Sequence, residues 1–341
     1  MTNRPHRFQK TLPKSGATAA PAQVASLSLD QLTYYANGWL VDCEIRQHSP
    51  ATRATRRLIL DKLLWHLRRS GSQACGTSEL RLFFSYLING HKEDGGRWGN
   101  PQMSRPIRPR TVDTYHGHLR TFFQWTLTQG ALTVSPMALI SGPVCRADQI
   151  QPFTPDQVEA ILAACRQTQQ PRRDEAMIML LVDTGVRASE LCGLKHQDLD
   201  LTEKRITVLG KGGKKRTIYF GQRSTKALWT YLGGKPVDPD APLFPSERAS
   251  AKGNHLSRYG LRDMIGRLEE KAGITGVRCS AHTFRHSFAI SFLRGGGQVY
   301  ALKEIMGHTD LKMTLKYVAL AEADLASQRR FSPGDQLTGS G

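Results

Sequence analysis

The sequence predicts a mainly α-helical protein with a small β-sheet, divided into two domains. Its 341 residues exceed what one compact domain usually contains and are too few for three. Apolar side chains recur at helical spacing along most of the chain, which favours helices over strands. Two β-rich runs, residues 205–209 and 216–220, flank a segment of glycines and lysines and predict a hairpin.

The first domain is expected to be all-helical and to span residues 28–135. Ser28 and Gln31 have the spacing of a capping box, which predicts a helix from about 29 to 47. Pro50 begins a second helix that ends near Gly71. Apolar stripes predict a third helix around 80–87 and a fourth around 112–122, joined by a polar loop over 90–109.

The second domain is expected over residues 153–331. Thr154 supplies a capping hydroxyl and Pro155 stands at the first helical position, so a helix begins there. The unbroken apolar run 176–182 predicts a helix buried on most sides, and it leads into the segment 184–187. The segments outside the two domains are predicted to be a flexible basic arm (1–27), a linker (136–152) and a disordered tail (332–341).

The formal charge of +18 indicates a polyanionic partner or a very soluble basic surface. Residues 1–150 carry 19 basic and 9 acidic groups, and residues 151–341 carry 28 and 20, so the excess is shared by both halves. This distribution favours a polyanionic partner, since a single basic tail would not give both halves an excess of positive charge. The candidate DNA-binding residues are Arg53, Arg56, Arg57, Arg108, Arg110, Lys214 and Lys215.

Cysteine usage and hydropathy exclude several other classes. The six cysteines form no CxxC pair, and several lie inside apolar helical patterns, as in a reduced intracellular protein, so no zinc site or other metal is expected. No run approaches the roughly 18 apolar residues that a membrane span needs. We therefore expect a cytoplasmic protein, associated with the nucleoid and without contact to a membrane.

Tyr317 is a candidate nucleophile only because of the residues that precede it. A lone tyrosine in a short amphipathic segment is usually a core or surface residue. Here Gly307 and His308 lie shortly before it, and His282 and Arg285 lie three residues apart, on one face of a predicted helix. A histidine and an arginine side by side suit a phosphodiester, although a surface salt-bridge face is the alternative.

Arg187 and Lys211 are two further candidates. Arg187 follows Thr184-Gly185 just before a predicted helix, where its guanidinium could bind two phosphate oxygens; the alternative is a solvated loop arginine. Lys211 lies at the tip of the predicted hairpin, where lysines usually serve only solubility, but where glycines would let an ammonium group reach a substrate. The Walker pattern of nucleotide-binding loops is absent, which excludes that interpretation of the lysines.

Taken in order, these segments resemble the tyrosine recombinase (phage integrase) family. The resemblance rests on motifs that span about 130 residues of the second domain, in the order and at the spacing of the family. These motifs are Thr184-Gly185-Val186-Arg187-Ala188-Ser189-Glu190-Leu191, Gly210-Lys211-Gly212, His282-Thr283-Phe284-Arg285-His286, Gly307-His308 and Tyr317.

The resemblance implies a fold and a mechanism. The first domain would be a helical core-binding domain of the SAM-like kind and the second an α+β catalytic domain. Tyr317 would attack a DNA phosphate and form a 3′-phosphotyrosyl enzyme, with Lys211 as general acid and with no metal, ATP or other cofactor. The phosphate would be held by Arg187, His282, Arg285 and His308, and Glu190 would orient Arg187 or His308.

The resemblance also implies partners. The two domains would clamp double-stranded DNA from opposite sides, and four copies would assemble on two duplexes. A segment over 319–330 is the candidate helix that links them, and a paralogous recombinase or an accessory protein is a further candidate partner. Because only about 27 residues precede the first predicted helix, a simple Xer-like or transposon-associated enzyme is favoured.

Two alternatives stay open on the sequence. A type IB topoisomerase shares this chemistry but relaxes supercoils instead of exchanging strands, and the small helical first domain favours recombination. A non-catalytic DNA-binding regulator needs the charge and the helices but not a full set of catalytic side chains, and here every catalytic position is filled.

Overall fold

The structure is a computed structural model. It describes residues 25–91, 95–145, 150–210, 213–234, 238–246 and 252–321. The predictions for Lys211, for the tail 332–341, for most of the arm 1–27 and for most of the segment 319–330 lie outside the described residues. The chain divides into two compact units, residues 1–147 and 148–341.

The first unit is a small helical bundle, as its apolar stripes predict. The capping box at Ser28 is present, with the Ser28 hydroxyl accepting from the amide of Gln31, and it begins the first helix. The elements are β1 (Leu27–Ser28), α1 (Leu29–Ile45), α2 (Pro50–Arg69), β2 (Ala74–Cys75), α3 (Thr77–Ile88), a 3₁₀ turn (Arg97–Gly99) and α4 (Pro109–Thr128).

Two boundaries of the first unit differ from the prediction. Leu27, placed in the flexible arm, is fully buried and pairs with Cys75 across a two-residue antiparallel ladder, because its side chain completes the core. Met137, placed in the linker, is 3% exposed and packs into the same core. His116 of α4 also binds the carbonyl of Ile140 through Nε2, at 2.8 Å. The first unit therefore extends beyond both ends of 28–135.

In its described part the second unit joins a three-stranded antiparallel sheet to eight α-helices and one 3₁₀ turn (His196–Asp198). The sheet order is β3-β4-β5, and the hairpin predicted at 205–209 and 216–220 forms β4 and β5 within one residue of those bounds. The elements are α5 (Pro155–Cys165), α6 (Pro171–Thr184), α7 (Ala188–Cys192), β3 (Leu199–Asp200), β4 (Arg205–Leu209), β5 (Lys215–Tyr219), α8 (Gln222–Leu232), α9 (Arg258–Lys271), α10 (Ala281–Arg294), α11 (Val299–Met306) and α12 (Lys312–Ala321).

Helix α6 lies at the centre of the second unit. Its residues from Ala176 to Leu181 are all buried, as the unbroken apolar run predicts. Helix α10 packs against α6 on one side and against α12 on another. This arrangement brings the end of α6, the middle of α10 and the start of α12 together. Of the helices described, none is long and apolar enough to span a bilayer.

Candidate active site

Arg285 is buried at the centre of the candidate site. It lies on α10, whose first turn is capped by the hydroxyl of Ser280, and its residue is 3% exposed. Its guanidinium donates to the carbonyl of Gly185 at 2.7 Å and to that of Met306 at 2.6 Å. Burial, followed by the nearby charge of Arg187, lowers the pKa of Arg285 to about 10, so the group stays protonated at neutral pH.

Gly185 presents its carbonyl to Arg285 because of its backbone conformation. It ends α6 in the left-handed region, with φ of 58°, where residues with a Cβ are strained. A Cβ at this position would also lie 2.4 Å from a ring carbon of Phe288 on α10. The glycine of the Thr184-Gly185 pair is therefore explained by a close approach of α10 to the end of α6.

Arg187 lies at the start of α7 and faces the same region. Its guanidinium donates to Oε1 of Glu190 at 2.8 Å and to the carbonyl of Gly307 at 2.9 Å. Its backbone amide donates to Oε2 of Glu190 at 2.9 Å. Because the side chain is 34% exposed, it retains an accessible edge on which a phosphate oxygen could bind.

Glu190 is almost fully buried and accepts from two arginines. In addition to Arg187, Arg216 of β5 donates to both carboxylate oxygens at 2.8 Å, and its Nε donates to the carbonyl of Ile305 at 2.7 Å. Burial alone raises the pKa of the Glu190 carboxyl, but the hydrogen bonds from Arg216 and Arg187 more than offset this and lower it to about 2. Glu190 is therefore a permanent anion that holds two cations in place.

His308 is fixed on both of its ring nitrogens. Its Nε2 lies 3.1 Å from the Arg285 guanidinium, and its Nδ1 lies 2.8 Å from Oγ1 of Thr314. Because a guanidinium can only donate, Nε2 accepts, and Nδ1 carries the ring proton and donates to Thr314. Burial and the charge of Arg285 lower the pKa of His308 to about 4, so the ring is neutral at neutral pH.

Tyr317 lies on α12 with its side chain enclosed by the same groups. The residue is 1% exposed, and its ring is parallel to that of His308, with 6.4 Å between the centroids. Its hydroxyl lies 2.8 Å from Nδ1 of His286. The ammonium group of Lys316 lies 4.8 Å from the centroid of the Tyr317 ring. Burial raises the pKa of the Tyr317 phenol, and Arg285 opposes this shift.

The structure thus brings together five of the six predicted catalytic residues. Arg187, Arg285, His308 and Tyr317 are joined by the contacts above, and His282 lies on α10 with its ring against that of His286, 4.4 Å between centroids. His282 itself is exposed. Lys211 lies outside the described residues, but β4 and β5 of its hairpin are described, and Arg216 fastens β5 to α11.

The predicted DNA-binding residues fall into two groups. Arg53 and Arg56 are engaged within the first unit: Arg53 pairs with Glu44 at 2.6 Å, and Arg56 lies 4.4 Å from the Trp39 ring centroid. Arg56 also donates to His48 and to the thiol of Cys43. The remaining residues, Arg57, Arg108, Arg110, Lys214 and Lys215, are exposed, and Arg110 lies 3.8 Å from the carboxylate of Asp113 on the same helix.

Sequence reasoning did not assign three residues that the site uses. His286 belongs to the motif His282-Thr283-Phe284-Arg285-His286, which by itself predicts no role for it, and Thr314 lies in no distinguishing pattern. Arg216 could have been noticed from the alternating pattern of β5, because it lies on the same side of the strand as buried Ile218. An arginine on the apolar face of a strand is unusual without an anionic partner, and Glu190 is that partner. Throughout the described ranges, no group of three or more His, Cys, Asp or Glu side chains is placed to hold a metal ion.

Comparison with known proteins finds similar sequences among proteins of DNA recombination. Residues 151–324 match the model of the Phage integrase family. Tyrosine recombinase XerC of Anoxybacillus flavithermus is 31% identical over 262 residues, which cover 74% of this chain and 80% of that protein. Tyrosine recombinase XerD of Listeria innocua is 31% identical over 229 residues, which cover 66% of this chain and 77% of that protein.

Two solved structures share the fold. The Tn1549 transposon integrase in complex with a circular intermediate DNA aligns over 85% of this chain and 95% of its own, with a TM-score of 0.63 and 20% identity. The XerH site-specific recombinase bound to a palindromic difH substrate aligns over 88% of this chain and 84% of its own, also with a TM-score of 0.63 and 20% identity. At this identity the likeness concerns the fold, which confirms the predicted mainly helical architecture.

Proposed function

This chain belongs to the phage integrase family and is a tyrosine-type site-specific DNA recombinase, and we propose that Tyr317 is the nucleophile with which it cleaves DNA. One observation carries the proposal: the guanidinium groups of Arg187 and Arg285, the imidazole of His308 and the phenol of Tyr317 meet in one cluster, although they are up to 130 residues apart in sequence. The relatives named above favour recombination over the relaxation of supercoils or mere DNA binding.

The positive charges of Arg187 and Arg285 would offset the charge repulsion that slows attack on a phosphodiester. A phosphodiester resists attack because its nonbridging oxygens are negative and its leaving alkoxide is poor. Arg187 and Arg285 would bind the nonbridging oxygens, and His282 on the exposed side of α10 would add a hydrogen bond. His308 would hold Arg285 at the angle that phosphate binding requires, since its Nε2 accepts from that guanidinium.

The proposed reaction proceeds through a covalent ester. The Tyr317 oxygen bonds to phosphorus, the bond to the 5′-oxygen breaks, and the product is a 3′-phosphotyrosyl enzyme with a free 5′-hydroxyl. Lys211 is the proposed general acid for the departing oxygen. Because the ester retains the energy of the broken bond, the 5′-hydroxyl of another strand can rejoin the DNA without a further energy source.

Glu190 and Arg216 support this chemistry without touching the substrate. Glu190 fixes Arg187 from one side, and the carbonyl of Gly307 fixes it from another. Arg216 donates to both oxygens of the Glu190 carboxylate and so holds it in place. Arg187 therefore has little conformational freedom left to lose when a phosphate binds, which is the benefit of preorganisation.

The proposed substrate is a double-stranded DNA recombination site. The proposed location is the nucleoid in the cytoplasm. The proposed assembly is a tetramer on two duplexes. The exposed residues Arg57, Arg108 and Arg110 would neutralise backbone phosphates, as would Lys214 and Lys215. The solved integrase and XerH complexes with DNA support such a substrate. A paralogous recombinase or accessory protein would be an additional partner.

A nicked suicide substrate tests the proposal directly. The nick lets the cleaved fragment diffuse away, so the wild-type protein should accumulate a DNA adduct that survives denaturation. Tyr317→Phe should bind the same DNA with unchanged affinity and form no adduct. A normal adduct from Tyr317→Phe would overturn the assignment of the nucleophile. A two-site recombination assay set beside a supercoil-relaxation assay then distinguishes strand exchange from relaxation.

A further inference from the structure

The hydroxyl of Tyr317 has a specific hydrogen-bond partner in the second unit. Nδ1 of His286 lies 2.8 Å from it, within the range of a good hydrogen bond. His286 directly follows Arg285 on α10, so this partner lies on the helix that carries the buried guanidinium. A nucleophile that must lose a proton is thus already in contact with a group that can take one.

The other two imidazoles of the cluster are not placed for this task. Both ring nitrogens of His308 are occupied, Nε2 by Arg285 and Nδ1 by Thr314. His282 contacts the ring of His286, and within the residues described here it makes no hydrogen bond with Tyr317. His286 is therefore the imidazole whose nitrogen meets the phenolic oxygen.

The charge state of His286 is also compatible with accepting a proton. Burial, followed by the charges of His282, Lys316 and Arg285, lowers its pKa to about 4, so the ring is neutral near pH 7. A bound phosphodiester would place a negative charge among these same positive groups. That charge would raise the pKa of His286 back towards its ordinary value at the stage when the proton must move.

We propose that His286 is the general base that takes the Tyr317 proton during DNA cleavage. The inference rests on the proposed role of Tyr317. As the Tyr317 oxygen bonds to phosphorus, its proton passes to Nδ1 of His286, the bond to the 5′-oxygen breaks, and that oxygen receives a proton from the general acid. During rejoining the incoming 5′-hydroxyl gives its proton back to the general acid. The imidazolium of His286 returns its proton to the departing Tyr317 oxygen.

This role makes one structural demand. The Tyr317 side chain is 1% exposed without DNA, so DNA binding has to open a path from the phosphate to the hydroxyl. The hydrogen bond with His286 must survive that opening. If the bond existed only to keep Tyr317 inactive before DNA binds, its removal would speed cleavage instead of slowing it.

The first test compares two nucleophiles of different acidity. His286→Asn keeps an oxygen that can accept a hydrogen bond but cannot take the proton at neutral pH, and His286→Gln is a second variant should the first fold poorly. We expect His286→Asn to lower the single-turnover rate of adduct formation by about 10²–10⁴-fold with DNA affinity unchanged. With Tyr317 replaced by a trifluorinated tyrosine, whose phenol is largely ionised at the assay pH, that loss should shrink to less than about tenfold.

Two results would overturn the base role: the same loss with both phenols, or a rate that His286→Asn leaves unchanged or raises. Failure of the proposed function is a different result, because the wild-type protein would then form no adduct, or Tyr317→Phe would form one.

A second test separates the base from the acid. A substrate with sulfur in place of the 5′-bridging oxygen has a leaving group that needs no proton, so it should restore cleavage by Lys211→Ala. The same substrate should leave the defect of His286→Asn in place. Rescue of His286→Asn by the sulfur substrate would assign His286 to the leaving group and contradict the proposal.

Discussion

Arg216 binds both carboxylate oxygens of Glu190, at 2.8 Å each, from the strand that leads out of the Lys211 hairpin. The same carboxylate also binds Arg187, whose guanidinium lies 2.8 Å from it. The hairpin and one of the two proposed phosphate-binding arginines are therefore connected through a single buried anion. Replacing that anion should affect both the stability and the chemistry of the second unit.

Glu190→Gln should strongly destabilise the protein. The change keeps the shape of the side chain but leaves Arg187 and Arg216 without their anion, and breaking a buried ion pair in this way costs about 3–5 kcal/mol. Urea unfolding measures the cost. Glu159→Gln is the matched control, because the Glu159–Arg223 pair is exposed on both sides, at 56% and 68%, and its loss should change the free energy of unfolding far less. Equal costs for the two variants would contradict the role given to Glu190.

Gly185→Ala should cost more stability than Gly233→Ala. Both glycines end a helix in the left-handed region, with φ of 58° and 63°, and an alanine is strained at either position. Only at Gly185 would the new Cβ also collide, 2.4 Å from the ring of Phe288, whereas nothing lies within 4 Å at Gly233. The collision should add about 1–3 kcal/mol in urea unfolding.

The collision should also weaken DNA cleavage, because it moves the carbonyl that holds Arg285. Gly233→Ala, far from that carbonyl along the chain, should cleave at the wild-type rate. If both variants had similar unfolding free energies and cleavage rates, the Phe288 ring would move aside at little cost, and the prediction would be wrong.

Thr314→Val should slow cleavage by freeing the ring of His308. Valine has nearly the shape of threonine but offers no oxygen, so the Nδ1 proton of His308 would lose its acceptor in a buried place. An unsatisfied buried donor costs about 1–3 kcal/mol. Thr314→Ser is the control, since it keeps the hydroxyl and removes only a methyl group. Single-turnover cleavage should fall for valine and be largely kept for serine, and equal rates would argue against the hydrogen bond.

The stability of the wild-type protein should fall between pH 6.5 and pH 4, partly because of His308. The ordinary pKa of histidine is 6.5 and that of folded His308 is about 4, so in this interval the unfolded chain takes up a proton that the folded chain does not. The stabilisation is complete above pH 6.5 and is lost as the pH falls towards 4, on the order of 3 kcal/mol in total.

His308→Gln should flatten that pH dependence. Urea unfolding of both proteins at several pH values between 7.5 and 4 measures the difference, and His286 remains in both proteins, so its own titration cancels. If the two profiles run parallel, His308 does not titrate with a lowered pKa in the folded protein.

The sequence alone determined the family and most of the elements. Helix starts at Ser28, Pro50 and Thr154 depend on capping and on the fixed φ of proline, which are local properties that a short segment carries with it. The hairpin around Lys211 follows from alternating side chains and glycines, which are equally local. The spacing of the motifs then predicted which side chains perform the chemistry.

Only the tertiary structure decided how those side chains are held. Arg216, Thr314 and His286 gain their roles from residues on other elements: Glu190 on α7, His308 after α11 and Tyr317 on α12. In the same way, Leu27 and Met137 belong to the first core because distant helices leave room for them. Periodicity records which face of an element is buried, but it does not record the partner across the interface. A hydrogen bond or a packing contact between distant segments requires both positions in space, and packing of the whole unit sets these.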